Sequence, residues 1–149
     1  MKGFFIQTGA RHESNGRGGD ASRSTNTVYI NPIFIMYDKQ SRYGLQVSPK
    51  VSLYAANEDE NNADLPDYRG HFDIEFKAGK ADDMVGSLAF RFAEKGISAQ
   101  IDLTYPLHRI YSKLAGIYLH VQYSDSLAES LLNYQERNQT VRLGFAFVR

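Results

Sequence analysis

The strongest constraint on the fold of this chain is an alternation of apolar and polar residues that recurs along nearly its whole length. The clearest example alternates aromatic or aliphatic residues with charged and polar ones: Tyr68, Phe72, Ile74 and Phe76. Successive side chains of a β-strand point to opposite faces of its sheet, so this period of two predicts strands with one apolar and one polar face. Helical spacing is hard to find.

About eight such segments follow one another along the chain. They lie at 4–11, 27–36, 45–53, 68–77, 84–93, 97–107, 114–124 and 139–148. Many have close to the roughly 9 to 11 residues that a tilted strand needs to cross a bilayer. Long polar loops at 13–25, 57–66 and 125–138 alternate with shorter connections at 38–42, 78–82 and 107–113, and the short connection 93–96 is the exception. Such asymmetry is typical of outer-membrane barrels.

The alternation alone does not show which face of the strands points outward. A soluble antiparallel barrel or sandwich would bury the apolar face, whereas a membrane barrel would turn it toward lipid. The densely charged second face favours the membrane, as do ten Tyr and nine Phe that can form interfacial girdles. We therefore expect an all-β, antiparallel transmembrane β-barrel of about eight strands, formed by a single domain over residues 1–149.

The composition excludes several classes of function. Lys plus Arg equals Asp plus Glu at 17 each, and no basic cluster is interleaved with aromatic residues, which argues against nucleic acid as a partner. The chain has no Cys, which excludes a thiolate metal site, a Cys nucleophile and a disulfide framework.

A candidate catalytic group lies at the end of the first predicted strand. Counting along the strand places His12 and Ser14 on its apolar face, and Asn26 falls on the apolar face of the second strand. A symmetric hairpin centred near Gly19 would set position 26 opposite position 12, and position 24 opposite position 14. The three side chains would then converge on the outside of the sheet.

This grouping suits nucleophilic catalysis. A Ser hydroxyl is a weak nucleophile until a neutral His takes its proton, and the His acts best when a third group fixes its ring and tautomer. Any one of the three residues alone is more often an ordinary loop residue. Three polar side chains on a lipid-facing surface are costly, however, and their conjunction favours a functional role.

Two parts of the sequence resemble the outer membrane phospholipase A family, which consists of calcium-dependent lipases built on a twelve-stranded barrel. HESNGR at 12–17, with SRS at 22–24 and Asn26, is similar to the active-site segment of that family. ESLLNY at 129–134 and NQT at 138–140 are similar to its last long loop and last strand. The resemblance covers the C-terminal two thirds of the family. It implies that His12 is the base, Ser14 the nucleophile and Asn26 the residue that orients His12.

The resemblance also implies calcium as the cofactor. The main-chain carbonyl of Arg17 and the hydroxyl of Ser22 would bind the ion, and both are the hard oxygen ligands that calcium prefers. The family uses an acidic loop residue for a second calcium position, for which the acidic loop of this chain offers Asp59 or Glu60. A solvated acidic loop without calcium is the alternative for these two residues.

By the same resemblance, the chain would be a serine esterase with phospholipase A1 and A2 activity. Its partners would be phospholipids and lysophospholipids of the bacterial outer membrane, and a second copy in a calcium-dependent homodimer. About eight strands instead of twelve predict a shortened chain that lacks N-terminal strands of the family, including part of its dimer interface. The loop also departs from the family at Gly19, Asp20 and Thr25, where the family tends to have an acidic residue, a Pro and an aromatic residue.

Two other interpretations remain open from the sequence. A lipid A deacylase is an eight-stranded outer-membrane esterase with a His-x-Ser pair on its outer wall, which fits the strand count but uses an acidic orienter where this chain has Asn26. A structural or adhesive barrel without catalysis would instead predict that replacing His12 or Ser14 changes no hydrolysis.

Overall fold

The computed structural model describes residues 2–55, 61–80 and 82–147. Its strands, in chain order, are β1 (Lys2–Ser14), β2 (Ser24–Tyr37), β3 (Tyr43–Tyr54), β4 (Phe72–Lys80), β5 (Val85–Ala93), β6 (Gly96–Pro106), β7 (Tyr118–Leu127) and β8 (Arg137–Ala146). A short helix, α1 (Leu65–Arg69), precedes β4, and single 3-10 turns occupy Gly19–Ala21 and Leu107–Arg109. Within the described ranges, no helix is long and apolar enough to span a membrane.

The eight strands form one sheet in which each strand pairs antiparallel with the next along the chain. The predicted all-β antiparallel architecture and the number of strands are therefore confirmed. In the part of the chain that the structure describes, β1 and β8 are the two edges and the sheet remains open between them. The strands range from 9 to 14 residues, which is long enough for tilted strands to cross a bilayer.

The apolar face of the sheet is its exposed outer face. Phe4 and Phe34 pack ring to ring there, with centroids 5.1 Å apart, yet each remains about half exposed. At the other edge, Val141 and Leu143 are 75% and 74% exposed. A soluble barrel would bury these residues, so the structure agrees with the lipid-facing arrangement and not with the soluble alternative.

The polar face lines an internal cavity of about 650 Å³. Charged side chains within it are paired across neighbouring strands: Asp73 accepts from Lys50 Nζ at 2.6 Å and from Arg91 Nε at 2.9 Å. Asp102 lies 2.9 Å from the Nε2 atom of His120. The charged face of the strands is thus an interior network, in which Asp73 and Asp102 have partners that offset their partial burial.

A small apolar core lies at the end of the sheet where the long loops are found. We call it the loop core, and its buried members are Leu65, Ala128, Leu131 and Tyr134, with Tyr54 and Tyr68 packed against them. The Tyr134 hydroxyl donates a hydrogen bond to Asp64, and burial together with this carboxylate raises the pKa of Tyr134 to about 12. The hydroxyl therefore stays protonated and keeps donating at neutral pH.

Nearly all strand boundaries differ from the sequence prediction, by one to four residues. Tyr68 belongs to α1 and not to the fourth strand, because Pro66 fits the first turn of a helix and the buried Leu65 docks that helix onto the loop core. β4 starts after Gly70, where φ is +68° and where a Cβ would lie 1.8 Å from the Phe92 carbonyl oxygen. The seventh strand starts at Tyr118 instead of residue 114, because residues 107–117 form turns, and the eighth starts at Arg137 instead of residue 139.

Candidate active site

The β1–β2 hairpin brings the candidate catalytic residues together on the outer face of the sheet. In its register His12 lies opposite Asn26 and Ser14 lies opposite Ser24, as the symmetric hairpin predicted. His12 Nδ1 and Asn26 Oδ1 are 2.8 Å apart. Because an amide oxygen can only accept, His12 Nδ1 is the donor, and in the neutral ring Nε2 is left as the acceptor.

Ser14 is the last residue of β1 and is exposed on the same face as His12. Its hydroxyl oxygen accepts a hydrogen bond of 3.2 Å from the main-chain N–H of Gly16. Gly16 has φ +67°, a conformation that favours glycine and turns its N–H back toward the Ser14 side chain. The hairpin thus presents a hydroxyl, an imidazole and a carboxamide on one face, together with a main-chain donor beside the hydroxyl.

The residue between His12 and Ser14 points the other way, into the cavity. Both carboxylate oxygens of Glu13 accept from the guanidinium of Arg69, each at 3.0 Å, and Arg11 adds a third contact at 2.6 Å. Arg69 Nε also donates to the carbonyl of Ala128 at 3.0 Å. One guanidinium therefore connects the Ser14 end of β1 to α1 and to the β7–β8 loop.

Asn15 organises the loop between β1 and β2. Its side-chain oxygen accepts from the N–H groups of Arg17 and Arg23 at 3.2 and 3.1 Å, and its Nδ2 donates to Ala21 O at 2.8 Å. The sequence indicated only a turn at Asn15-Gly16, since an Asn before a Gly is a common turn signal. The structure shows that the same Asn spans the loop and holds its two ends together.

The calcium candidates lie in this loop. The Ser22 N–H donates to the Gly19 carbonyl at 3.0 Å, and Asn61 Nδ2 donates to the carbonyls of Gly19 and Ser22 at 3.2 and 3.3 Å. The loop is therefore a concentration of main-chain and hydroxyl oxygens, which is the donor chemistry that calcium favours. Over residues 2–55, 61–80 and 82–147, no three or more His, Asp or Glu side chains cluster as a metal site. The predicted candidates Asp59 and Glu60 lie outside the described residues.

The sequence prediction missed Asn62 and Arg69. Asn62 is fully buried and its amide binds the main chain of Ser24, and Arg69 pairs with Glu13. Both come from the loop that follows β3, 38 and 56 residues from their partners. The one available signal was a helix-starting Pro three residues before Arg69, which places that side chain on α1 instead of a strand.

Residues 1–147 match the family model for phospholipase A1. The chain belongs to the phospholipase A1 family. Phospholipase A1 of Escherichia coli (strain K12) is 23% identical over 140 residues, covering 93% of this chain and 44% of that protein. The chain therefore spans about half the length of the relatives that it matches.

Solved structures of the same family show the same fold. Outer membrane phospholipase A from Escherichia coli matches with a TM-score of 0.72 and 25% identity, over 94% of this chain and 50% of that one. The Salmonella typhi outer membrane phospholipase dimer with bound calcium matches with a TM-score of 0.73 and 22% identity, over 96% of this chain and 52% of that one.

Membership of the phospholipase A1 family confirms the resemblance seen in the active-site segment, and it favours this family over a lipid A deacylase. The relatives are named as outer-membrane proteins, in agreement with the predicted outer-membrane location. The coverage of 50% of the Escherichia coli structure agrees with the prediction that this chain matches only part of the family.

Proposed function

We propose that this chain is a phospholipase of the bacterial outer membrane that hydrolyses acyl esters of phospholipids and lysophospholipids with Ser14 as nucleophile. The observation that carries the proposal is the 2.8 Å contact between His12 and Asn26, on the exposed face of the strand that ends in Ser14. A serine esterase requires a His that accepts the Ser proton and a third group that orients the His, and this face presents all three groups. Its position on the lipid-facing wall would give it direct access to acyl esters within the membrane.

In the first half of the reaction, Ser14 Oγ attacks the ester carbonyl carbon while His12 Nε2 accepts the hydroxyl proton. Asn26 keeps the ring in place and keeps the proton on Nδ1. The oxyanion accepts from the N–H of Gly16, which already lies 3.2 Å from Ser14 Oγ. The protonated His12 then gives its proton to the leaving alkoxide, and a lysophospholipid departs from the acyl enzyme.

In the second half, a water molecule gives its proton to His12 and attacks the acyl carbon. The ester bond to Ser14 breaks, the Ser hydroxyl recovers the proton from His12, and a fatty acid is released. The same His thus acts as base and then as acid in each half of the cycle.

The loop oxygens of Arg17 and Ser22 fit calcium by their chemistry, and a relative of known structure binds this ion. When bound, calcium supplies positive charge that stabilises the oxyanion. The protein's own part is to present the Arg17 carbonyl and the Ser22 hydroxyl from a loop that Asn15 and Asn61 hold in shape. The same relative is a dimer, and we propose a second copy of the chain as the protein partner.

We expect Ser22→Ala to raise the calcium concentration needed for half-maximal activity at least about tenfold, because a ligand is removed from the ion. A calcium titration of fatty-acid release measures this change. Ser112→Ala, an exposed Ser in the β6–β7 connection, serves as the control and should leave the calcium requirement unchanged. An identical requirement in all three proteins would contradict the assignment of Ser22.

Replacing Asn26 should separate the effect of orienting His12 from the effect of a negative charge at this position. Asn26→Ala removes the acceptor for His12 Nδ1, and we expect kcat to fall about a hundredfold because the ring is misplaced. Asn26→Asp keeps the acceptor and should remain active. Its carboxylate stabilises the protonated imidazole, and since only the neutral ring can act as base, the acid limb of the pH profile of kcat/KM should move to higher pH.

Fatty-acid release from phospholipid in detergent micelles tests the proposed function as a whole. The refolded chain should release fatty acid with calcium present and should stop when a chelator is added. Pure lysophospholipid should also be a substrate, because the same acyl ester is attacked. A chain that migrates as a folded, heat-modifiable barrel but releases no fatty acid under either condition would support the non-catalytic alternative.

A further inference from the structure

On the side of β2 that faces β3, the first residue of β2 is held by a side chain and not by a strand. Asn62 Oδ1 accepts from the N–H of Ser24 at 3.2 Å, and Asn62 Nδ2 donates to the carbonyl of Ser24 at 2.9 Å. Asn62 is 0% exposed, so both contacts are shielded from water. A single carboxamide therefore satisfies both main-chain polar groups of one residue.

The pairing of the neighbouring strands explains why Ser24 needs this contact. Strand β3 ends at Tyr54, and among the described residues the final main-chain bond between the two strands runs from the N–H of Ala55 to the carbonyl of Asn26 at 3.0 Å. Main-chain groups alternate in direction along a strand, so those of Ser24, two residues before Asn26, point to the same side. The Asn62 amide thus takes the place of the next residue of an adjacent strand.

On its other side, β2 pairs with β1, the strand of the proposed nucleophile, and this pairing ends near Ser24. Ser24 lies opposite Ser14, and one further bond, from Asn15 N–H to the Arg23 carbonyl at 3.1 Å, follows this pair. That bond is accepted by Arg23, which is next to Ser24, so Asn62 supports the segment of β2 that pairs with the Ser14 end of β1. Without that support, the terminal pair of this hairpin would be free to fray.

Asn62 is in turn fixed by α1. Its carbonyl accepts from the N–H of Leu65 at 3.0 Å, and Leu65 is completely buried in the loop core. A continuous series of contacts thus runs from the loop core through Asn62 to Ser24, which lies opposite Ser14 in the hairpin. Charged groups take no part in this series, which distinguishes it from the contact of Arg69 with Glu13.

We propose that Asn62 is a positioning residue for Ser14, which acts through the main chain of Ser24. The inference rests on the proposed function, since it assumes that Ser14 is the nucleophile. It goes further in assigning a buried residue of the β3–β4 loop to the active site on the outer face of the β1–β2 hairpin. It also predicts that a change in this loop alters turnover more than substrate binding, because lipid contacts the outer wall and not Asn62.

We expect Asn62→Ala to lower kcat for phospholipid hydrolysis about ten- to a hundredfold with KM nearly unchanged, because small displacements of a nucleophile have effects of this size. Hydrogen exchange supplies a second readout that needs no activity. Main-chain amides of residues 14–26 should exchange at least about tenfold faster in the variant, because local opening becomes easier. Asn62→Asp keeps the side-chain volume and the acceptor but loses the donor to the Ser24 carbonyl, so a loss of kcat is expected there too.

Asn133→Ala is the matched control, since Asn133 lies in the β7–β8 loop and donates to Glu136 without contacting the hairpin. It should show wild-type kcat and wild-type exchange. If Asn62→Ala fails to show the heat-modifiable mobility of a folded barrel, Asn62→Asp replaces it in both measurements. Wild-type kcat in a folded Asn62 variant would overturn the proposal, whether or not exchange increases.

The two proposals fail in different ways. If the wild-type chain has no activity, the proposed function fails, and hydrogen exchange then decides whether Asn62 orders the Ser14 end of the hairpin. Wild-type exchange of residues 14–26 in Asn62→Ala would overturn that role on its own. If the wild type is active and depends on Ser14, an unchanged kcat in Asn62→Ala contradicts only the role of Asn62.

Discussion

Ser14→Ala is expected to lower kcat for fatty-acid release by about 10⁴-fold or more, because loss of a serine nucleophile removes the covalent path altogether. The fold should be unaffected. Ser14 is exposed at the end of β1, and its hydroxyl accepts one hydrogen bond, from Gly16. The variant should therefore show the same heat-modifiable mobility and the same thermal unfolding as the wild type.

The chain supplies a closely matched control for this substitution. Ser130 is an exposed Ser in the β7–β8 loop, and its hydroxyl accepts from the N–H two residues later at 3.2 Å, as the hydroxyl of Ser14 does. Ser130→Ala removes the same local contact without removing the proposed nucleophile, so its activity should equal that of the wild type. Equal activity of Ser14→Ala and the wild type would rule out the proposed mechanism.

The second large effect is expected on stability. Arg69→Met should destabilise the folded chain by about 3 kcal/mol, because it removes one partner of a partly buried, bidentate ion pair and leaves Glu13 inside the cavity. The Arg69 side chain is 12% exposed and that of Glu13 is 24% exposed. The remaining contact of Glu13 with Arg11 keeps the cost at the lower end of the range for such pairs. Urea unfolding in detergent, followed by tryptic protection or circular dichroism, measures the change.

A double-mutant cycle isolates the interaction between the two residues. The double variant with Glu13→Gln and Arg69→Met should lose less free energy of unfolding than the sum of the losses in the two single variants. In the double variant, the second substitution removes a group whose partner the first has already removed. Arg137→Met is the control, since Arg137 pairs with Asp125 but is 41% exposed, and about 1 kcal/mol or less is expected for such a surface pair. Similar losses of unfolding free energy in Arg69→Met and Arg137→Met would show that the pair of Arg69 with Glu13 stabilises the fold no more than a surface ion pair does.

Most of the fold and part of the site could be predicted from the sequence, because both depend on local periodicity. A period of two specifies the faces of each strand. The short stretch of chain between His12 and Asn26 leaves little freedom in the register of their hairpin. The convergence of these side chains followed from parity alone. α1 was missed because five residues are too few to show a helical period.

The support of the site could not be predicted in the same way. Asn62 and Arg69 contact the β1–β2 hairpin from the β3–β4 connection, and neither strand periodicity nor spacing specifies how such a connection folds back across a sheet. Asn62 lies at the end of an acidic run that indicates only a solvated loop, although its side chain is completely buried. The roles of Asp59 and Glu60 in binding calcium stay predictions.

Covalent labelling tests the central claim most directly, because it detects the nucleophile itself. The folded chain in detergent would be treated with a long-chain alkyl sulfonyl fluoride in the presence of calcium, and its peptides would be analysed by mass spectrometry. The account predicts one sulfonyl adduct, on Ser14, which forms much more slowly in His12→Ala. A folded, calcium-loaded chain that carries no adduct on Ser14, or that is labelled equally fast without His12, would contradict it.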